Sequence, residues 1–152
     1  MTTFDHREHQ PASPETVNPE WTVNGFAADT PGVIHALLVA ADGLLIVASD
    51  GLDRDLADKT AATAGSLISV ARAMSREFLA GSPEILTFRT PNVHFLFMEV
   101  ADRSGLAVLA DRTSDLGVVG HQMRRFVAAV GPRLNPDARG NPVASAAAPL
   151  AR

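Results

Sequence analysis

Cysteine is absent from the 152 residues. That excludes disulfides and thiolate metal sites, and it fits a reducing compartment, so a cytoplasmic location is the expectation. A surplus of positive charge is missing too: 13 Lys and Arg stand against 17 Asp and Glu, a formal net charge of −4. No broad basic face remains for nucleic acid. No apolar run is long enough for direct membrane insertion, because Asp42 and Gly43 cut the longest one, Val33 to Ala48. The opening "MTTFDHREHQ" lacks the basic-then-apolar order of a secretory signal. There is no internal repeat.

The usual chemical signatures are missing as well. No GxxxxGK[ST] phosphate loop occurs, no GxGxxG follows a strand, and there is no GxSxG elbow. Ser66 in "TAGSLIS" falls inside a helical pattern, which is no place for a nucleophile. The histidines are scattered: His6 and His9 near the N-terminus, His35 and His94 on strand patterns, His121 on a helical one. None forms HxxxH or HExxH, so neither a metal nor a cofactor is expected. His6 and His9, with Asp5 and Glu8, have the composition of a polar tail. Asp50, Asp53, Asp55 and Asp58 lack the Gly and Glu of a calcium loop and suit the positive end of a helix instead. Phe88, Phe95 and Phe97 on strands are expected in the core, because base stacking would need basic neighbours. An enzyme is therefore not expected.

An apolar fraction of 46% is present, enough for one domain with a real core. Residues 1–17 are polar, and residues 135–152 are rich in Pro and Ala without spaced large apolar side chains. Both read as mobile tails around a globular part at 18–134. Asn18 can cap a helix with Pro19 at its first position; Trp21 and Phe26 offer an apolar side, and Pro31-Gly32 ends it. Gly25 weakens that helix.

Next come two apolar runs of strand length, Val33 to Ala40 and Leu44 to Ala48, flanking Asp42-Gly43. This is a hairpin signal, and runs so uniformly apolar predict cover on both faces of the sheet. A second pair, Asp50-Gly51, releases the chain into a helix from about Arg54 to Leu79, capped by Asp53. Leu56, Thr60, Thr63, Leu67, Ala71, Met74 and Phe78 mark one face of it at spacings of three and four. Ala57, Ala61, Gly65, Ser69 and Ala73 form a ridge of small residues that winds slowly around it, a surface on which another backbone can come close. "PEILTFR", "VHFLFMEV" and "SGLAVLA" read as three further strands. A last helix starts near Ser114 or Asp115, carries Leu116, Val119, Met123, Phe126, Val127, Val130 and Leu134, and ends about Gly131-Pro132. Tight turns between strands imply an antiparallel sheet with helices on its faces, an α+β sandwich.

Trp21 and Phe26 before "PGV", the "DGL" turn, "GLDRDLAD" opening the central helix, and "LAVLA" followed by "DLG" together resemble the bacterial Roadblock (dynein light chain) domains, over about Asn18 to Leu134. Thr22 stands where a larger apolar residue is usual. The resemblance implies a profilin-like, five-stranded antiparallel sheet, with the first and last helices on one face and the central helix on the other. It implies a homodimer, two sheets joined through the third strand with central helices side by side. The paired edge would then be Ile85 to Arg89, Thr87 included, and the ridge Ala57, Ala61, Gly65, Ser69 and Ala73 would favour close helix approach. It also implies a non-catalytic regulator or scaffold of a Ras-like small GTPase, with a sensor-kinase-like protein as a further partner. Arg54, Arg72 and Arg76 are conceivable arginine fingers, though solvated helix charge is the plainer use. The competing expectations are a small-molecule sensor of PAS- or profilin-like fold, which needs a pocket with converging polar groups, and a purely structural dimerisation adaptor.

Overall fold

The computed structural model describes residues 18–101 and 104–134; the expected tails lie outside the described residues. The elements are α1 (Pro19–Asp29), β1 (Val33–Val39), β2 (Leu45–Ala48), α2 (Arg54–Glu77), β3 (Leu86–Arg89), β4 (Val93–Glu99), β5 (Gly105–Asp111) and α3 (Leu116–Leu134). The five strands form one antiparallel sheet in the order β2-β1-β5-β4-β3. The shortest strands, β2 and β3, are its edges.

The first Asp-Gly closes the β1–β2 hairpin. Gly43 N donates to Ala40 O and Ala40 N to Leu44 O, with Gly43 at φ +82°, a conformation that glycine adopts without steric cost. The second releases the chain after β2. Ser49 Oγ accepts from Ala36 N at 3.0 Å, and Asn24 Oδ1 of α1 accepts from Asp50 N at 2.8 Å. The strand end is thereby fixed to its neighbour and to α1 before α2 begins. Asp53 Oδ2 then accepts from Leu56 N as the α2 cap, and Asn18 and Asp115 cap α1 and α3 in the same way.

Strand alternation divides the core in two. Ala36 and Leu38, Leu96 and Met98, Leu106, Val108 and Ala110 face one way and meet Val23 and Phe26 of α1 and Val119, Met123, Phe126 and Val130 of α3. Leu37, Val39, Phe97 and Ala107 face the other way and meet Ala57, Ala61 and Ala64 of α2. The run of β1 is covered on both sides over Ala36 to Val39, as its composition predicts; the run of β2 is not, because β2 is an edge strand and Leu44 and Ile46 are exposed at 67% and 45%. The first layer is built of large side chains, each stabilising by roughly 1.5–3 kcal/mol when fully buried. The second rests on alanines, so α2 sits close but gains less.

Three local expectations need correction. Trp21 is 83% exposed, and Val23 and Phe26 form the buried side of α1. A separation of five residues turns a helix by 500°, so Trp21 and Phe26 cannot share a face, whereas a separation of three allows it. Helix α3 does not end at Gly131-Pro132 but runs on to Leu134. Buried Val130 and Gly131 hold its last turn against the sheet, and proline this near the end costs only one hydrogen bond on the solvent side. Helix α2 ends at Glu77, two residues early, where Phe78 caps it and Leu79 turns to φ +51°.

Candidate functional site

The two edges of the α2 layer differ. On the hairpin side, a Cβ on Gly65 would fall 2.8 Å from Gly43 Cα, so α2 and the β1–β2 turn touch backbone to backbone. The small-residue ridge therefore divides by position. Ala57 and Ala61 are enclosed by the protomer's own sheet, Gly65 meets the hairpin, and Ser69 and Ala73 have wound round into solvent. Only the last two are open to a second helix.

On the β3 side, the residues expected to mark the apolar face of α2 dock it only in part: Leu67 packs half-buried against the core of that layer, while the larger members at either end do not. Leu56 and Met74 are more than half exposed, and Phe78 and Leu79 more so, at 78% and 93%. The reason is distance: a helix this close to a sheet accepts alanine at the contact, and the larger side chains are displaced to its flank. There, Leu56, Thr60, Thr63 and Leu67 border a groove of about 290 Å³ whose other wall is Phe88, Phe95 and Phe97. A second hollow of about 210 Å³ shares Leu56, Thr60, Phe95 and Phe97 and reaches in to His35, Leu37 and Leu52. Polar groups do not converge in either: Lys59, Thr60 and Thr63 stand on the helix side of the groove, and the second hollow has only Thr60 and, at one end, His35. Phe95 and Phe97 are core residues as expected. Phe88 is not: it lies on the edge strand, 56% exposed, its ring 5.9 Å from that of Phe95. Thr87 and Arg89 are exposed on the opposite face of β3, and Ile85 lies one residue before the strand, its Cδ1 close to Gly120 of α3.

The arginines of α2 have different surroundings. Arg72 Nε donates to Glu99 Oε2 at 3.3 Å, and its Nη2 approaches Oε1 at 2.6 Å out of line for a hydrogen bond; the pair is largely buried and ties α2 to β4. Arg54 lies 3.3 Å from Asp58 in the open, and Arg76 is exposed without an ion pair among the described residues. Ser66 is exposed and donates to Ala62 O at 3.1 Å, a bond within its own helix. His94 is buried on β4, with Nε2 3.1 Å from Arg112 O. His35 and His121 are on other elements, and no three His, Asp or Glu side chains among the described residues are placed to share a metal. His6 and His9 lie outside the described residues. Asp111, at the turn from β5 into α3, accepts from the Thr113 hydroxyl and backbone N–H, which hold its carboxyl below the usual carboxylate range.

The opposite face carries a feature that periodicity alone did not reveal. Trp21, Thr22, Gly25 and Asp29 of α1 and Gln122, Arg125 and Phe126 of α3 border an open trough of about 590 Å³, with Phe26 and Phe126 packed edge to face at its base. The one available sequence signal was Trp21 followed at one turn by Gly25.

A five-stranded antiparallel sheet between one long helix and a pair of terminal helices, with apolar surface left open at a helix and a strand edge, is an α+β sandwich of profilin-like architecture. The chain belongs to the Roadblock/LC7 domain family, whose model matches residues 19–110. Among solved structures it is similar to a Roadblock/LC7 domain from Streptomyces avermitilis, at 31% identity and a TM-score of 0.71, covering 76% of this chain and 96% of that one. It also resembles MglB of Myxococcus xanthus in fold, at 13% identity and a TM-score of 0.68, covering 80% and 95%. Acanthamoeba castellanii profilin II is a more distant fold neighbour, at 14% identity and a TM-score of 0.53, covering 73% and 94%. No curated protein matches the sequence significantly. No helix among the described residues is long and apolar enough to cross a membrane.

Proposed function

We propose that this chain is a non-catalytic, cytoplasmic regulator or scaffold of a Ras-like small GTPase, working as a homodimer and sharing its module with a sensor-kinase-like protein. The observation that carries the reading is the unpartnered apolar strip along α2 and the β3 edge: Leu56, Val70, Met74, Phe78 and Phe88 are all more than half exposed on one side of the molecule. An edge strand beside such a strip is a liability in a lone protomer, and pairing removes it. The resemblance to Roadblock domains supplies the partner class. Ser69, Ala73, Thr87 and Arg89 remain the open members of the expected interface, with Ile85 at its margin. A purely structural adaptor would use the same surface. A small-molecule sensor is less well supported, because the groove lacks converging polar groups.

Sedimentation of the wild type should give a dimer at micromolar concentration. Phe88→Asp should shift it to monomer with little loss of fold, since the ring is more than half exposed already. The wild type should then bind the cognate GTPase with different affinities in its GDP and GTP-analogue states, because a regulator can shift a switch only by that difference. Equal affinities would reduce it to a scaffold. A monomeric wild type that binds nucleotide itself and no GTPase would overturn the reading.

A further inference from the structure

The flank of α2 beside the β3 edge changes character along its length. Leu56, Thr60, Thr63 and Leu67 follow one another at spacings of three and four, and Val70, Met74 and Phe78 continue the same line to the C-cap. The first half of the line borders a hollow, the groove of about 290 Å³ whose far wall is Phe88, Phe95 and Phe97. The second half protrudes: Val70, Met74 and Phe78 are all more than half exposed. The helix end is fixed in this form by backbone bonds, Phe78 N to Met74 O and Leu79 N to Arg76 O, with Leu79 in the left-handed region that leucine seldom adopts. The line is also uncharged over its middle. Between Lys59 and Arg76 the helix has one charged side chain, Arg72, and that is held by Glu99 of the sheet. Nothing along this stretch selects a charged partner, and loss of charge is the mark of an interface centre.

We infer that in the homodimer proposed above, on which this inference rests, the two copies of α2 run antiparallel and the protruding end of each, Met74 and Phe78, fills the groove of the other between Leu56 and Phe88. Two observations name a second copy as the occupant. Phe88 is both a wall of the groove and a residue of the β3 edge, so whatever pairs with that edge also overlies the groove. The chain itself carries the matching apolar protrusion, on the same line of the same helix. A two-fold interface must be self-complementary. Two helices on one face of a continuous sheet, related by a two-fold axis, have that axis perpendicular to the sheet and therefore point in opposite directions. That arrangement sets protrusion against hollow twice over. Parallel helices would set hollow against hollow and Phe78 against its own copy, leaving both grooves empty.

The absence of cysteine makes the test clean. Leu56→Cys and Met74→Cys are made as separate variants of the full chain, each at a side chain already more than half exposed, so the protomer should still fold. Each is treated with a short bis-maleimide alone, and then both are mixed, allowed to exchange protomers and treated again. The expected result is a covalent dimer in the mixture, several-fold above either variant alone. Phe78→Ala should raise the dimer dissociation constant by roughly tenfold or more, as removal of an aromatic anchor from a pocket does, and should leave the melting temperature of the dilute protomer unchanged. Self-cross-linking of either variant above the mixture would show another orientation and overturn the inference. Dimers of both variants without a mixed cross-link, or a dissociation constant unmoved by Phe78→Ala, would leave the groove to another occupant, a different protein or a small apolar molecule, and would overturn it too. In each of these cases the homodimer itself stands. A wild type that sediments as a monomer at micromolar concentration would remove the homodimer and the inference with it.

Discussion

Replacing Leu38 with alanine is expected to destabilise the domain by about 2–5 kcal/mol, the range for truncating a fully buried leucine. Leu38 is completely enclosed at the centre of β1, where the sheet meets α1 and α3. Its neighbours come from three layers of chain that the sheet holds in register, so the cavity cannot collapse easily. The melting temperature should fall by about 10 °C or more. Leu44→Ala, at an exposed hairpin position, should shift it by little. Calorimetry of both variants checks the pair. Equal small shifts would place Leu38 outside the core.

Gly65→Leu should lower stability through a different mechanism. Helix propensity alone favours leucine by somewhat under 1 kcal/mol. Against that, the first added carbon meets the Gly43 backbone at 2.8 Å, and backbone on both sides of the contact cannot rotate away. Overpacking of this kind costs about 1–3 kcal/mol, so the clash outweighs the propensity and the melting temperature should drop by roughly 5–10 °C. Ser69→Leu, one turn further along the ridge and exposed, is the control. It should leave the protomer's stability intact and weaken only self-association, read by sedimentation. An unchanged melting temperature for Gly65→Leu would mean that α2 and the hairpin are not in contact in solution.

The turns and caps were legible in the sequence because they are local. Asp42-Gly43 closes its own hairpin, and Asn18, Asp53 and Asp115 bond to N–H groups two or three residues on. Cover on both faces of the sheet was legible from the uniform run of β1, but the equally apolar run of β2 lies on an edge and is partly exposed. The orientation of α2 was harder to read. Hydrophobic periodicity ranks Leu56, Leu67, Met74 and Phe78 above Ala57, Ala61 and Ala64, but how closely the helix approaches the sheet decides which set fits beneath it. That distance is set by the opposing Leu37, Phe97 and Ala107, far away in sequence. For the same reason the groove beside α2 was invisible, since its walls come from α2, β3 and β4. Phe88 shows the limit for strands: its residue type suits a core position, and its place on an edge came from the family resemblance alone, with β3 at the end of the sheet order. The trough opposite needed α1 beside α3, the first and last elements described.

The alanine contact under α2 also bears on how the domain opens. Protection of backbone amides against solvent exchange follows the apolar area that must be exposed to release them. The strands β1, β4 and β5 are held by large buried side chains on the α1–α3 side, and α2 is held by the fully buried Ala57, Ala61 and Ala64, the partly buried Leu67 and Ile68, and the Arg72–Glu99 pair. The smaller buried contact under α2 leads to the expectation that its amides exchange before those of β1 and β5, which native-state hydrogen exchange would check. If its exposed flank is the surface that a second copy covers, the persistence of α2 becomes a function of protein concentration by mass action. Dilution would loosen the helix before it unfolds the domain, so the supply of partner and the order of the surface that greets it are a single equilibrium.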